Sequence, residues 1–341
     1  MNMNRPYVTV TSPNLLAGML KELDERLPGF TALEGVCGIT LNGGCSRGYA
    51  DELSEIDLVF YLEARQYALW TGGCSPLPLG ITRIGGYLYD IKAVSLEEEL
   101  EKIWDSTALW DLSYAGILHD PEGHIAGLIR TKLAERPGRL QAEGVMFNCW
   151  WHYRLAGDIW LHRGDTVQGH AMLNTAAAQL IEALFTANGE YVPHPKWLFH
   201  LSRTLPWTPA GWGTGLMRIM DTGDFSPESL KNRQAAIDHY WHEIDTYLIS
   251  LECPGYPLNV MHKTFYDLLK LLLSHDTLPV EDWTVRAGMS LLSAEPFIRF
   301  TSVAGDRITV DKLKFFSISP GELYPWHASI LNQLQGELKS T

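Results

Sequence analysis

The pattern of apolar and polar positions divides the chain into two regions. Up to about residue 122, short apolar runs suited to strands alternate with short helical stretches; beyond it the amphipathic helical period prevails. Leu15, Leu16, Met19, Leu20, Leu23 and Leu27 recur at helical spacing after Ser12-Pro13, a capping residue followed by proline, and Pro28-Gly29 is the expected stop. Residues 34–41 (EGVCGITL), 55–62 (EIDLVFYL) and 86–94 (GYLYDIKAV) read as strands, with a break at Asn42-Gly43-Gly44. Ser95 with Glu98 forms a capping box that opens a helix through Trp104, and Asp120-Pro121-Glu122-Gly123 is a turn. Helices are expected over 144–162, 165–188, 226–252 and 258–274, the second stopping at Asn188-Gly189. Pro206 to Gly215 reads as a loop, and 285–317 leaves helix and strand both open. The predicted architecture is an α/β domain over residues 1–122, a small mixed sheet flanked by helices, followed by a mainly α-helical domain over 123–341.

Length and composition narrow the function classes. A chain of 341 residues is too long for one small core, and 46% hydrophobic residues suit a globular protein. Lys and Arg number 27 against 40 Asp and Glu, a net charge of −13 that repels a phosphate backbone and disfavours a nucleic-acid substrate. A cationic substrate would be attracted. The five cysteines are odd in number and contain no Cys-x-x-Cys, so neither a disulfide framework nor a cysteine zinc site is signalled, and a reducing cytoplasm fits. The opening MNMNRPYVTV has no apolar signal core, and no stretch is long enough for a membrane helix.

The chemistry concentrates in residues 39–62, ITLNGGCSRGYADELSEIDLVFYL. A strand ends in Gly43-Gly44, a ten-residue spacer follows, and then come Glu55-Ile56-Asp57. The two-residue period of a strand puts Glu55 and Asp57 on one face, within reach of one ion. Two carboxylates alone would repel a nucleoside triphosphate; magnesium between them inverts the local field, and a two-ion site also activates the attacking hydroxyl and stabilises the leaving pyrophosphate. The glycines let backbone approach the phosphates, and Arg47 is placed to neutralise charge. Asp90, between apolar neighbours in YLYDIKA, is the expected third carboxylate, because an isolated buried Asp is costly unless paired or metal-bound. The competing reading of Asp90 is a partner for Lys92 or Arg83.

These residues resemble the DNA polymerase β-type nucleotidyltransferase superfamily, and SRGYADELSEIDL is similar to its antibiotic and minimal nucleotidyltransferases. The segment 188–198, NGEYVPHPKWL, resembles a helical-domain motif of the same proteins, so that the likeness covers residues 30–200. Two positions depart from the pattern: Glu55 stands where Asp is usual, and Gly44 where Ser is usual. The resemblance implies that Glu55, Asp57 and Asp90 hold magnesium, Asp90 as ligand or as base for the acceptor hydroxyl. It implies nucleotide contacts from Gly43, Gly44, Ser46, Arg47 and Lys196. The implied reaction is transfer of AMP from ATP, or of another nucleoside monophosphate, to a hydroxyl of a small polar acceptor such as an aminoglycoside-like molecule. Nucleotidylation of a protein or RNA end, and a nucleotide sensor without turnover, are the alternatives.

Other residues carry milder readings. Asp165 and Gln168 form a capping arrangement. Glu182 and Asp158 fit an exposed helix face or an acid–base role in the cleft. Tyr191 and Trp197 fit packing or stacking on a base. His239 and His242, followed by Glu243, lack the zinc-protease spacing and fit a solvated face. Gly44-Cys45-Ser46-Arg47-Gly48 also matches the hydrolase nucleophile elbow, but lies early and leaves the three carboxylates unexplained. Gly211–Gly215 is glycine-rich without a preceding strand, which argues against a dinucleotide site.

Overall fold

The computed structural model describes residues 10–339; most of the opening decapeptide lies outside the described residues. The chain packs as two compact units, each discontinuous in sequence. One is the described part of Met1–Gly138 with Leu184–Trp212; the other is Arg139–Ala183 with the described part of Gly213–Thr341.

The first unit is mixed α/β. Its strands are β1 (Val36–Leu41), β2 (Ile56–Leu62), β3 (Gly80–Ile84), β4 (Tyr87–Ser95) and β5 (Gly116–His119), in the order β3-β4-β2-β1-β5. Only the β2–β4 pairing is parallel; β1–β2, β1–β5 and β3–β4 are antiparallel. The period of two sorts each strand's side chains between the faces. Ile56, Leu58, Phe60 and Leu62 of β2, with Tyr89 and Ile91 of β4, join a core with Met19, Leu23 and Phe30 of helix α1 (Leu16–Thr31). Tyr61 turns the other way and packs with Leu96, Ile125 and Leu128. Asp57, Asp90 and Lys92 have the register of that second face.

Several element boundaries differ from expectation for physical reasons. Helix α1 begins at Leu16, because Ser12 and Pro13 are not its cap: Ser12 Oγ donates to Asp51 Oδ2 at 3.0 Å, and the Leu16 N–H donates to Asn14 Oδ1. It runs through Pro28 to Thr31, held by buried Phe30. The helix from Leu96 stops at Glu101, short of Trp104, although Ser95 does accept from the Glu98 N–H. The run 144–162 is α-helix Ala142–Trp150, a π-helical turn Trp151–Ala156 and α-helix Gly157–Arg163. The Pro206–Gly215 loop already gives way to helix at Trp212.

The second unit is mainly helical, with long segments such as Pro227–Glu252 and Lys263–Leu273. It also holds a small antiparallel sheet of β6 (Thr277–Pro279), β7 (Thr301–Ala304) and β8 (Arg307–Val310), in the order β6-β8-β7. Its core gathers Leu269, Leu272, Trp283, Phe297, Phe300, Phe315, Ile330 and Leu331. The region whose pattern left helix and strand open thus contains both.

Candidate active site

The C-terminal end of β1 leads into Asn42 and a four-residue helix, α2 (Gly43–Ser46). The Asn42 N–H donates to the Asp57 carbonyl at 2.9 Å, tying this corner to the start of β2. Asn42 Oδ1 accepts from the Thr40 hydroxyl at 2.7 Å, and its Nδ2 donates to Asp111 Oδ2 at 2.9 Å. Gly43 has φ +66°, and a Cβ there would stand 1.7 Å from Asp57 Oδ2. Glycine is therefore required twice, by the left-handed backbone and by the carboxylate lying against it.

Asp57 and Asp90 are direct partners in the parallel β2–β4 register, which sets two carboxylate-bearing residues side by side on neighbouring strands. Glu55 immediately precedes β2. All three line one cavity of about 420 Å³, together with Gly43, Arg47 and Lys196. Lys92, Asp111, Trp110, Trp197 and His194 complete much of its wall. The volume lies within the usual range for small-molecule sites.

The electrostatics of this cavity are those of crowded like charge. Burial and then the Glu55 charge push the Asp57 carboxyl up to about 6; Lys92 opposes the rise, while Asp90 and Asp111 add to it. Lys92 Nζ lies 3.3 Å from Asp90 Oδ2, its side chain 62% exposed against 18% for Asp90. Asp90 is thus the partner of Lys92, one of the two cations considered for it; Arg83 instead donates to the Gly86 carbonyl.

Arg47 is committed within the wall. Its side chain is only 5% exposed, pairs with Asp111 Oδ1 at 3.1 Å, and stands 4.8 Å from the Trp110 ring centre and 5.4 Å from that of Trp197. Desolvated guanidinium–indole contacts of this kind hold an arginine firmly. Trp197 therefore stacks on Arg47, and Tyr191 donates its hydroxyl to the Glu135 carbonyl at 2.5 Å. Lys196 is exposed at the start of the helix Pro195–Leu201, where its N–H donates to His194 Nδ1.

The structure brings together Gly43, Arg47, Glu55, Asp57, Asp90 and Lys196, but not Gly44 or Ser46. A Cβ at Gly44 would meet the Tyr49 carbonyl at 2.9 Å, and Ser46 Oγ donates to the Gly43 carbonyl at 3.0 Å. The serine of the hydrolase-like pattern is thus engaged by its own turn. Lys92, Asp111 and Asn42 are members that the motif reading did not assign to nucleotide or metal. Lys92 was signalled by its place two residues after Asp90 on one strand face; Asp111 comes from the helix Ser106–Leu112 and has no local sequence signal.

Among the described residues, no group of three or more His, Cys, Asp and Glu side chains is already arranged to hold a metal ion. Glu55, Asp57 and Asp90 nevertheless supply hard oxygen donors of the kind divalent cations take. Burial first, and then the repulsion from Glu55 and Asp90, raise the Asp57 carboxyl, and a bound cation would offset both.

Outside the cleft, Asp165 accepts from the Gln168 N–H at 3.0 Å, as a cap does. His239 pairs with Glu243 at 3.0 Å and His242 faces Asp238 at 3.8 Å, on the exposed side of their helix. Asp158 accepts from Gln234 Nε2 at 2.7 Å, and burial raises the Glu182 carboxyl. No described helix is long and apolar enough to cross a membrane.

No family model matches the chain, and no curated protein matches it. Among solved structures it aligns with a nucleotidyltransferase-like protein from Exiguobacterium sibiricum 255-15, with a TM-score of 0.41 and 11% identity, over 86% of this chain and 99% of that one. The likeness is distant.

Proposed function

We propose that the cleft is the active site of a magnesium-dependent nucleotidyltransferase, which transfers AMP from ATP, or another nucleoside monophosphate, to a hydroxyl of a small polar acceptor. The observation that carries this reading is the pairing of Asp57 with Asp90 across parallel strands, with Glu55 on the same cavity and the Gly43 backbone against the Asp57 carboxylate.

Glu55, Asp57 and Asp90 would hold the magnesium, two ions in this reading, which supplies charge compensation for the triphosphate. The residues of the chain do the rest. Gly43 lets the triphosphate approach the backbone. Lys92 and Lys196 present ammonium groups to its phosphates, Lys92 leaving Asp90 as they enter. Arg47, fixed between Trp110 and Trp197, keeps that wall rigid. Asp90 accepts the proton of the acceptor hydroxyl. The acceptor oxygen bonds to the α-phosphorus, the bond from that phosphorus to the bridging oxygen breaks, and pyrophosphate leaves. Positioning and charge stabilisation supply most of the acceleration in such a transfer. The surplus of carboxylates, with Asp111 40% exposed beside the cavity, favours a polar or cationic acceptor over a polyanion.

Calorimetric titration of ATP with magnesium into the wild type and into Asp57→Ala tests the binding step. Magnesium-dependent binding by the wild type, absent from a folded variant, is expected. A folded wild type that binds no nucleoside triphosphate, with or without candidate acceptors, removes the proposal. Pyrophosphate release across an acceptor panel then separates a transferase from a nucleotide sensor.

A further inference from the structure

The second unit contains a cavity of its own, about 420 Å³, between the helix Trp212–Met220, the loop that follows it and one face of Pro227–Glu252. Its wall includes Arg218, Asp221, Ser229, Asn232, Arg233 and Tyr240. On the long helix, Ser229, Asn232, Arg233 and Tyr240 follow the spacing that gathers side chains on one face.

Arg233 is the unusual member. It is 1% exposed, yet the acceptors it reaches are all neutral: the Ile219 carbonyl from Nε, the His170 carbonyl at 3.1 Å and ring Nδ1 at 3.3 Å from one terminal nitrogen, and Asn174 Oδ1 from the other. A guanidinium has five N–H donors, and these four acceptors leave one on the terminal nitrogen that faces Asn174. Ile219 lies in the last turn of its helix, so its carbonyl offers partial negative charge, but a formal positive charge buried without a bonded carboxylate is normally costly. Asp221 is the carboxylate whose charge reaches Arg233, and it is itself exposed at the cavity.

A second guanidinium, that of exposed Arg218, stands on the same wall, with the Asn232 amide and the Ser229 hydroxyl nearby. Ser229 Oγ is held at 2.6 Å from Asp224 Oδ1. The loop between carries two left-handed residues, Gly223 at φ +52° and Phe225 at +59°, the latter the one non-glycine with positive φ among the described residues. Strained backbone of this kind persists where the surroundings fix it, and often borders a binding site. Phe225 is braced against the His170 ring at 4.9 Å, and His170 is the residue that receives Arg233.

We infer that this cavity binds a small phosphate-bearing ligand, its phosphate drawn by Arg233 and taken by Arg218 and Asn232, with Asp221 accepting from hydroxyl groups on the ligand's body. Two arginines suit a phosphate in charge and in the geometry of their donors, and the volume suits a ligand of metabolite size. The inference concerns a site made wholly of second-unit residues and does not depend on the chemistry of the carboxylate cleft.

The test is thermal unfolding of the full chain, titrated with inorganic phosphate and with glycerol phosphate against chloride at matched ionic strength, and with acetate as the carboxylate control. Saturable stabilisation by both phosphate probes, beyond that of acetate, is expected. Arg218→Gln, an exposed position, should weaken it at least about tenfold by removing a charge-assisted bond, and Asn232→Ala should weaken it less. Lys196→Gln, in the other cavity, should leave it intact. Stabilisation that is absent, equalled by acetate, unchanged in Arg218→Gln, or lost only in Lys196→Gln would overturn the inference.

Discussion

Asp57 is where function and stability conflict within a single residue. Burial and the neighbouring charges, Glu55 foremost, raise its carboxyl to about 6, so the folded protein holds this proton more tightly than the unfolded chain does. Stability therefore falls as pH rises from the ordinary carboxylate range through 6, and the penalty is fully present at pH 8. Asp57→Asn should be more stable than the wild type at pH 8 in chelator, by up to about 3 kcal/mol, with the difference closing near pH 4. Urea melts at the two pH values measure it, and identical midpoints at pH 8 would refute the raised carboxyl. Added magnesium should stabilise the wild type and not the variant. Gly43→Ala meets a harder obstacle, since its methyl group would occupy the place of the Asp57 carboxylate. It should lower the melting temperature and abolish nucleotide binding, through strain of about 1–3 kcal/mol or more; wild-type affinity in calorimetry would show that the Asp57 carboxylate can move aside at no cost to binding. Gly43, Glu55, Asp57 and Asp90 were legible in the sequence because a glycine break and a two-residue period are local signals. Arg47 is signalled by its charge, but its contacts with Asp111, Trp110 and Trp197 come from segments more than sixty residues away, which no local pattern encodes.

Helix α1 displays the same limit for a whole element. Pro28-Gly29 reads as a stop because proline removes a helical donor and crowds the preceding turn. The helix nevertheless reaches Thr31, since Phe30 is buried edge-on against Phe60 at 5.7 Å and Tyr89 at 6.2 Å, joining it to β2 and β4. Tertiary packing overrides the local preference, as it commonly does in helices that owe their stability to an apolar face. Phe30→Ala should therefore cost about 3–5 kcal/mol, well above a frayed terminal residue, through the cavity left beside the sheet. A loss under about 1 kcal/mol in denaturant melts, within the range of ordinary surface changes, would mean that the last turn is not anchored this way. The inner strands β1, β2 and β4 were readable from their apolar runs. The edge strands β3 and β5 were not: each is short, begins at glycine and has one neighbour in the sheet, so little of its sequence records the pairing.

For the molecule as a whole, sequence pattern and packing mark different divisions. The change from strands to helices near residue 122 is a change of local period, whereas compactness depends on which surfaces are buried together. Ile125 and Leu128, just beyond that point, are fully buried with Tyr61 and Leu96, and a Cβ at Gly38 of β1 would stand 2.3 Å from Ile125 Cγ1. Leu184–Trp212 then returns to the sheet-bearing unit. There the Val192 N–H donates to Ser106 Oγ at 2.7 Å, and Asn188 pins its loop by donating to the Leu184 and Trp207 carbonyls and accepting from the Trp207 N–H. These bonds belong to the segment that brings Lys196 and Trp197 to the cavity. A fragment of residues 1–122 would lose both the helix His124–Lys132, whose Ile125 and Leu128 cover one face of the sheet, and the returning segment. Two buried aliphatic side chains account for about 3–6 kcal/mol, comparable with the whole stability of a small domain. The fragment should therefore fail to unfold cooperatively and should bind no magnesium-ATP, while residues 1–212 should retain more near-ultraviolet circular dichroism from the packed tryptophans. A cooperative melt and nucleotide binding by residues 1–122 alone would mean that the sheet carries its own core, and that the returning segment refines the cleft without completing it.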